Sequence, residues 1–211
     1  MKDSVSRPLV IFDFDGTLAN SIDIGIQLAN KYATKYKYTP LENFEDVRKQ
    51  SAVNYIFSNI KWYYIPFWAI QMKRELKNAA DHIPLYKGVQ NTLLKLSEIT
   101  DLAIISGGNP SYIKRILSNH NVNHLFKMII GNRGTKKHKV LSQIRKQHTE
   151  IIYVGDDIED VKSSHKSQVK SIAVTWGSSS PEILAKVNPN KIVYEVDELY
   201  EAVYQLISLK K

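Results

Sequence analysis

The stretch from Leu9 to Leu18 reads LVIFDFDGTL, an apolar run that ends in two carboxylates one residue apart, Asp13 and Asp15, followed at once by Gly16 and Thr17. Side chains of a strand alternate between its two faces, so acids inside a buried strand are out of place. At the carboxyl end of a strand in a parallel sheet they project together into the crevice where ligands bind, as the chain turns at Gly16. Asp and Gly are also ordinary turn residues, which leaves a solvated turn as the plain alternative. Chance disfavours it: Asp, any residue, Asp, Gly, Thr should occur in a chain this long on the order of once per thousand sequences. Leu9 to Phe14 therefore reads as the first strand, and Asp13 with Asp15 as a site.

Working outward, short apolar strands alternate with helical stretches beyond residue 85. Strands are expected at Leu102 to Ile105, Met128 to Gly131, Ile151 to Gly155, Ser171 to Thr175 and Lys191 to Val193. Between them lie helix starts, Asn109 before Pro110 and Ser180 before Pro181, each a capping residue followed by proline at the first helical position. Asp197 with Glu198 and Glu201 begins the last helix in the same spirit. The pattern is α/β, a parallel sheet covered by helices. Residues 21–83 break the rhythm, with helical periodicity and no convincing strand; the turn after Leu18 leads out to them, and Pro84 with Gly88 leads back.

Composition sets the outer bounds. The chain has 211 residues, 43% of them hydrophobic, enough for one substantial core with a small inserted subdomain. It has no cysteine, which removes disulfides and thiolate chemistry and fits an intracellular protein. Asp13 and Asp15 interrupt the early apolar run, and no stretch reaches the roughly 20 apolar residues of a membrane helix, so a cytoplasmic location with no membrane partner is expected. The 29 Lys plus Arg against 21 Asp plus Glu give a net charge of +8, a field that draws anions. The basic clusters at Lys136 to Lys139, Arg145 to His148 and Lys210 to Lys211 are not interleaved with aromatics, so nucleic acid is not expected as a partner.

Three further clusters carry chemistry. Gly155, Asp156, Asp157 and Asp160 gather three carboxylates at a strand end, where they repel one another unless a cation compensates; capping of the following helix is the plain alternative. Ser106 offers a hydroxyl, and Gly107 and Gly108 their amides, to an anion at the start of the Pro110 helix, a layout that an ordinary strand-to-helix turn shares. Asn109 there is a helix cap that can also touch substrate. The Thr17 hydroxyl either serves the site or ties down its own loop. His120 and His124 have the spacing of a helical metal pair, but Asn119, Asn121 and Asn123 around them indicate a helix end.

Taken in order, these motifs resemble those of the haloacid dehalogenase-like phosphohydrolases. LVIFDFDGTL is similar to the first motif, Ser106 after its apolar strand to the second, and IIYVGDDIEDV (Ile151 to Val161) to the acidic fourth. Lys137, six residues beyond Gly131, falls where the third motif has its lysine. The family often has proline next, whereas here His138 follows, and Lys136 and Lys139 are competitors. Lys137 is preferred because Val140 and Leu141 then fall where the following helix buries its first apolar residues. The resemblance spans residues 10–160 and is greatest to phosphoglycolate phosphatase-like members, which also have a stretch like IAVTWG (Ile172 to Gly177).

The resemblance implies a three-layer Rossmann-like core of residues 1–20 and 84–211, with 21–83 as an α-helical cap closing over the site. It implies Asp13 as nucleophile and Asp15 as general acid and base. Dehalogenase members typically lack the second acid, so Asp15 argues for phosphoryl transfer. Gly16, Thr17, Ser106, Gly107, Gly108 and Asn109 would bind substrate, and Lys137 would neutralise charge on the phosphoryl group. Magnesium would be held by Asp13, the Asp15 carbonyl and Asp156, with Asp157 and Asp160 behind them or orienting the lysine, direct metal binding by one of these two being the alternative. The expected activity is magnesium-dependent hydrolysis of a small anionic phosphorylated metabolite such as phosphoglycolate. A phosphomutase or phosphotransferase, or a non-catalytic regulatory protein, is the alternative. Five aromatics crowd the segment Trp62, Tyr63, Tyr64, Phe67 and Trp68. Most should pack the cap internally, leaving one or two to line its inner face or a homodimer contact.

Overall fold

The computed structural model describes residues 7–41, 48 and 58–208. Its centre is a six-stranded sheet of order β3-β2-β1-β4-β5-β6, every neighbouring pair parallel. The strands are β1 (Leu9–Phe12), β2 (Asp101–Ile105), β3 (Phe126–Ile130), β4 (Ile151–Gly155), β5 (Lys170–Val174) and β6 (Lys191–Val193). Parallel strands covered on both faces need unbroken apolar runs, and LVIF of β1 is buried at all four positions. Chain order reverses between β1 and β4, and such a reversal opens a crevice at the carboxyl ends of those two strands.

Side-chain parity builds the three layers. Val10 and Phe12 face α3 (Val89–Ile99), α4 (Pro110–Asn119) and α8 (Leu199–Ser208), packing with Leu93, Ile113 and Val203. Leu9 and Ile11 point the other way, onto Val140, Leu141 and Ile144 of α5 (Lys137–Ile144). On that same side Val161 of α6 (Ile158–Lys166) and Leu184 of α7 (Pro181–Ala185) close over Ala173. No helix among the described residues is long and apolar enough to cross a membrane.

β4 and β6 run as the sequence predicts; the other strands differ by one or two residues at an end, β1 stopping at Phe12 rather than Phe14, where the chain turns into the acidic loop, and β3 beginning at Phe126 rather than Met128. Asn109 caps α4 by accepting from the Ser111 amide, but Ser180, at the same position of α7, makes no capping bond. The last helix is also entered earlier than expected. Glu195 and Glu198 form a reciprocal capping box around a 3₁₀ turn at Val196–Glu198, and α8 continues from it.

The helical segment between β1 and α3 has α1 (Ile22–Tyr36) and α2 (Ile65–Asn78), the latter entered through a 3₁₀ turn at Trp62–Tyr64. It has an apolar cluster of its own: Ala29, Ala33 and Tyr36, spaced along one face of α1, meet Tyr38, Leu41 and Ile60, with Tyr64 and Trp68 at the margin. The chain leaves and re-enters the core side by side, because Asn20 N donates to Pro84 O at 2.9 Å and Tyr86 N to Leu18 O at 3.0 Å. Of the five crowded aromatics, Tyr64 and Trp68 join the cluster, while Trp62 and Phe67 are 80% and 65% exposed. Tyr64→Ala should therefore destabilise the protein by about 2 kcal/mol and Trp62→Ala by less than about 0.5 kcal/mol, as read by denaturant unfolding. Equal effects would contradict this division of the rings.

Candidate active site

β1 stops at Phe12, yet Asp13 N still donates to Val154 O at 2.8 Å, which seats Asp13 between the ends of β1 and β4. Its odd parity follows Leu9 and Ile11, so its side chain turns toward α5 and α6. There it meets Lys137, the first residue of α5, whose Nζ lies 2.7 Å from Asp13 Oδ2 and 2.6 Å from Asp160 Oδ1. Lys136 and Lys139 are exposed. Burial by itself would lower the Lys137 pKa; the charges of Asp13 and Asp160 outweigh it and raise that pKa well above the ordinary lysine value.

The loop after Asp13 is tied to itself, since Thr17, Leu18 and Ala19 amides all converge on Phe14 O and Gly16 N donates to Ala19 O. Gly16 has φ +83°, and a Cβ there would overlap the Asp156 carboxylate, so the turn requires glycine on both counts. Asp156, beyond β4, accepts from Thr17 Oγ1 and from Ser178 N, each at 2.7 Å. Thr17 thus spends its hydroxyl on fixing an acid of the site to the first loop. Burial, followed by the charge of Asp13, pushes the Asp156 pKa up to about 6.

The other two acids of the second cluster part company. Asp157 Oδ1 accepts from Glu159 N and caps α6, whereas Asp160, one turn later, points back inward. Asp160 Oδ1 receives Lys137 and the Tyr153 hydroxyl at 3.3 Å, and its Oδ2 receives the Asp157 amide. Burial raises the Asp160 pKa, Lys137 opposes that rise, and Asp13 and Asp156 add to it. Asp15 faces the opposite wall, where its Oδ1 accepts from Tyr112 OH of α4 at 2.9 Å. Its pKa is raised above the usual carboxylate value chiefly by burial; the Ser21 hydroxyl opposes this, the charge of Asp13 reinforces it, and Tyr112 opposes it.

Ser106, just past β2, is buried and accepts from Gly108 N at 3.0 Å, which leaves its own hydroxyl proton free to be donated outward. Gly107 lies against the backbone of Gly134, and Gly108 lies against the Asp15 carboxylate. Asn109 Oδ1 is occupied by the helix cap. His120 and His124 are not on one helix: the first ends α4 and the second lies in a 3₁₀ turn.

Several contributors escaped sequence reasoning. Tyr112, Tyr153, Ser21, Gly177 and Ser178 all border the acids, and a Cβ at Gly177 would overlap Asp156. Tyr153 lies inside the IIYVGDDIEDV stretch and Gly177 ends the IAVTWG stretch, whereas Tyr112, Ser21 and Ser178 left no trace.

The donor set fits a divalent cation. Ligand atoms of Asp13, Asp156 and Asp160 lie within 4.8 Å of one another, three carboxylates in a largely buried site, with the Lys137 ammonium between Asp13 and Asp160. Asp160 already accepts three hydrogen bonds, from Lys137, Tyr153 and the Asp157 amide, against two on Asp13 (Phe14 N and Lys137) and two on Asp156 (Thr17 and Ser178 N), so Asp13 and Asp156 keep the larger capacity for a metal. The aromatic groove of about 400 Å³ lined by Lys35, Tyr36, Tyr63, Tyr64 and Phe67 contains none of these groups.

A sequence profile of haloacid dehalogenase-like hydrolases matches residues 10–174. The chain is 27% identical over 207 residues to the phosphoglycolate phosphatase of Synechococcus elongatus, covering 94% of this chain and 98% of that protein. It is 23% identical over 214 residues to pyrophosphatase PpaX of Listeria welshimeri, covering 90% and 93% respectively. Among solved structures, a predicted phosphatase from Clostridium acetobutylicum superposes with a TM-score of 0.80 at 21% identity, over 95% of this chain and 99% of that one. A haloacid dehalogenase-like family hydrolase from Streptococcus pneumoniae gives 0.77 at 21% identity, over 93% and 98%.

Proposed function

From the premise that this chain belongs to the haloacid dehalogenase-like hydrolases, we propose that it is a magnesium-dependent phosphatase cleaving a small phosphomonoester through an aspartyl phosphate on Asp13. The observation that carries this reading is the Lys137 ammonium held between Asp13 and Asp160, with Asp156 beside them, at the point where strand order reverses. An acid there is anchored, charge-compensated and aimed into the crevice. Residues 21–83 serve as the cap and the rest as the catalytic core; the separate apolar cluster and the paired crossings support that division.

In the first step an Asp13 oxygen forms a bond to phosphorus as the bond to the leaving oxygen breaks, and Asp15 gives that oxygen its proton. The raised pKa of Asp15 suits a group that must carry a proton at the outset. Water then attacks phosphorus, Asp15 takes back a proton, and phosphate departs as Asp13 is regenerated. Lys137 offsets negative charge on Asp13 and the phosphoryl group throughout, and the Ser106 hydroxyl donates to a phosphoryl oxygen. Bound magnesium would be held by Asp13, Asp156 and the Asp15 carbonyl, supplying positive charge opposite the phosphoryl oxygens.

Phosphoglycolate is the substrate class this reading favours, supported by the similarity to a protein of that name across nearly its whole length. The test is a hydrolysis panel of p-nitrophenyl phosphate, phosphoglycolate, sugar phosphates and inorganic pyrophosphate, with and without magnesium. Phosphate release from none of them in magnesium would overturn the proposal. Within that assay Lys137→Ala should lower kcat by about 10²-fold or more, while Lys136→Ala and Lys139→Ala stay within about threefold. The reverse ranking would move the role to another lysine.

A further inference from the structure

We infer that Tyr112 is a positioning residue for this reaction: its phenol occupies Asp15 Oδ1, leaving Oδ2 as the oxygen that carries the transferred proton. The inference rests on the role of Asp15 proposed above. Three observations carry it. The Tyr112 hydroxyl donates to Asp15 Oδ1 at 2.9 Å, across 97 residues of sequence. The Ser21 hydroxyl, which bonds the same carboxyl, bonds Tyr112 as well and so sits beside the phenol; the oxygen that the phenol occupies is the poorer seat for a proton, and a protonated Asp15 carries its hydrogen on Oδ2. Oδ2 in turn faces the turn that follows Ser106, because a Cβ built on Gly108 would lie 3.2 Å from it. The proton is thus presented toward the loop whose serine meets the phosphoryl group in the proposed mechanism.

Tyr112 is well placed to hold that orientation. It is buried in the first turn of α4, behind the Asn109 cap and Pro110. Its ring packs edge-to-face on Phe14, the residue between the two acids, with centroids 6.0 Å apart at 86°. A helix terminus and an aromatic contact therefore fix the phenol, and the phenol fixes the carboxyl plane. In forward chemistry the Oδ2 proton passes to the leaving oxygen as its bond to phosphorus breaks. In the second step Oδ2 accepts a proton from the water that forms the new oxygen–phosphorus bond. Protons balance over the cycle, and no other reactant is required.

Leaving-group dependence separates this role from plain packing. p-Nitrophenolate departs without a proton, whereas an alkoxide needs one, so only the alkyl ester depends on a correctly aimed acid in the step that kcat/KM reports. Tyr112→Phe, assayed with magnesium on p-nitrophenyl phosphate and on the best alkyl phosphomonoester, should lose about tenfold or more in kcat/KM on the alkyl ester. On the nitrophenyl ester it should stay within about threefold. An equal loss on both esters, no loss, or a gain would overturn the inference. Asp15→Asn run alongside should discriminate in the same direction and more strongly. If it does not discriminate, the assigned role of Asp15 fails and this inference with it; if it does and Tyr112→Phe does not, only the inference fails. Should the phenylalanine variant not fold, Phe14→Leu, which keeps the phenol and removes its aromatic support, should show the same selective loss in smaller degree, and a uniform loss would count against the proposal.

Discussion

Asp13→Asn is expected to reduce kcat by at least about 10⁴-fold on every phosphomonoester tested, because the amide keeps the side chain's volume and removes the attacking oxygen's charge. The fold should survive. Lys137 retains Asp160 at 2.6 Å, and the Phe14 amide that bonds Asp13 Oδ1 can still be met by an amide oxygen. Circular dichroism and thermal melting close to wild type, together with absent turnover, are the combined result to look for. A folded variant keeping more than about a hundredth of wild-type kcat would exclude the covalent route, since no loss smaller than this is compatible with deleting a nucleophile.

The second large effect concerns the metal. Activity should disappear in EDTA and return with magnesium, and Asp156→Ala should lower kcat by about 10²-fold or more even in excess magnesium. Magnesium should also raise the melting temperature of the wild type and leave that of the variant unchanged, a readout independent of turnover. The direction with pH follows from burial. Asp156 is raised from 3.8 to about 6, so between those values the folded protein binds more protons than the unfolded chain. On this account the metal-free protein loses stability as pH rises through that window, and magnesium should stabilise it most above the window. Below about pH 6 protons compete for the same carboxylate, so the magnesium concentration for half-maximal activity should climb as pH falls. A magnesium requirement that is flat from pH 5 to 8 would contradict the placement of the ion at Asp156.

What could be read in advance was whatever is local in sequence. An apolar run with acids at its end gives a strand and its carboxyl-end crevice, because a strand's exit and its last side chains are neighbours in the chain. The alternation after residue 85 gives the parallel sheet for the same reason, although ends slip, as at Phe126 and Glu195, where tertiary contacts and capping extend an element past its periodic core. Contacts formed only by folding were silent. Tyr112 reaches Asp15 over 97 residues, and Thr17 reaches Asp156 over 139. Nothing in the neighbourhood of Tyr112 in the chain distinguishes it from another core tyrosine. Asp157 and Asp160 are the instructive pair: adjacent in the motif, one turn of helix apart, and sent to different tasks because α6 points one at its own amides and the other at Lys137. The aromatic crowd shows the same limit, since periodicity says that Tyr63 and Tyr64 diverge and cannot say that Tyr64 is the one turned inward.

The grip of two carboxylates on Lys137 has a practical consequence for handling the protein. Acylation requires a neutral amine to attack the reagent, and Lys137 is both 7% exposed and held in its protonated form. Dyes, biotin esters and activated resins should therefore react with exposed lysines such as Lys136 and Lys139 and leave Lys137 untouched. Extensively labelled enzyme should keep its turnover, and peptide mapping should find Lys137 unmodified until the protein is denatured. Immobilisation through surface amines then becomes a route to a reusable catalyst that needs no engineered tag.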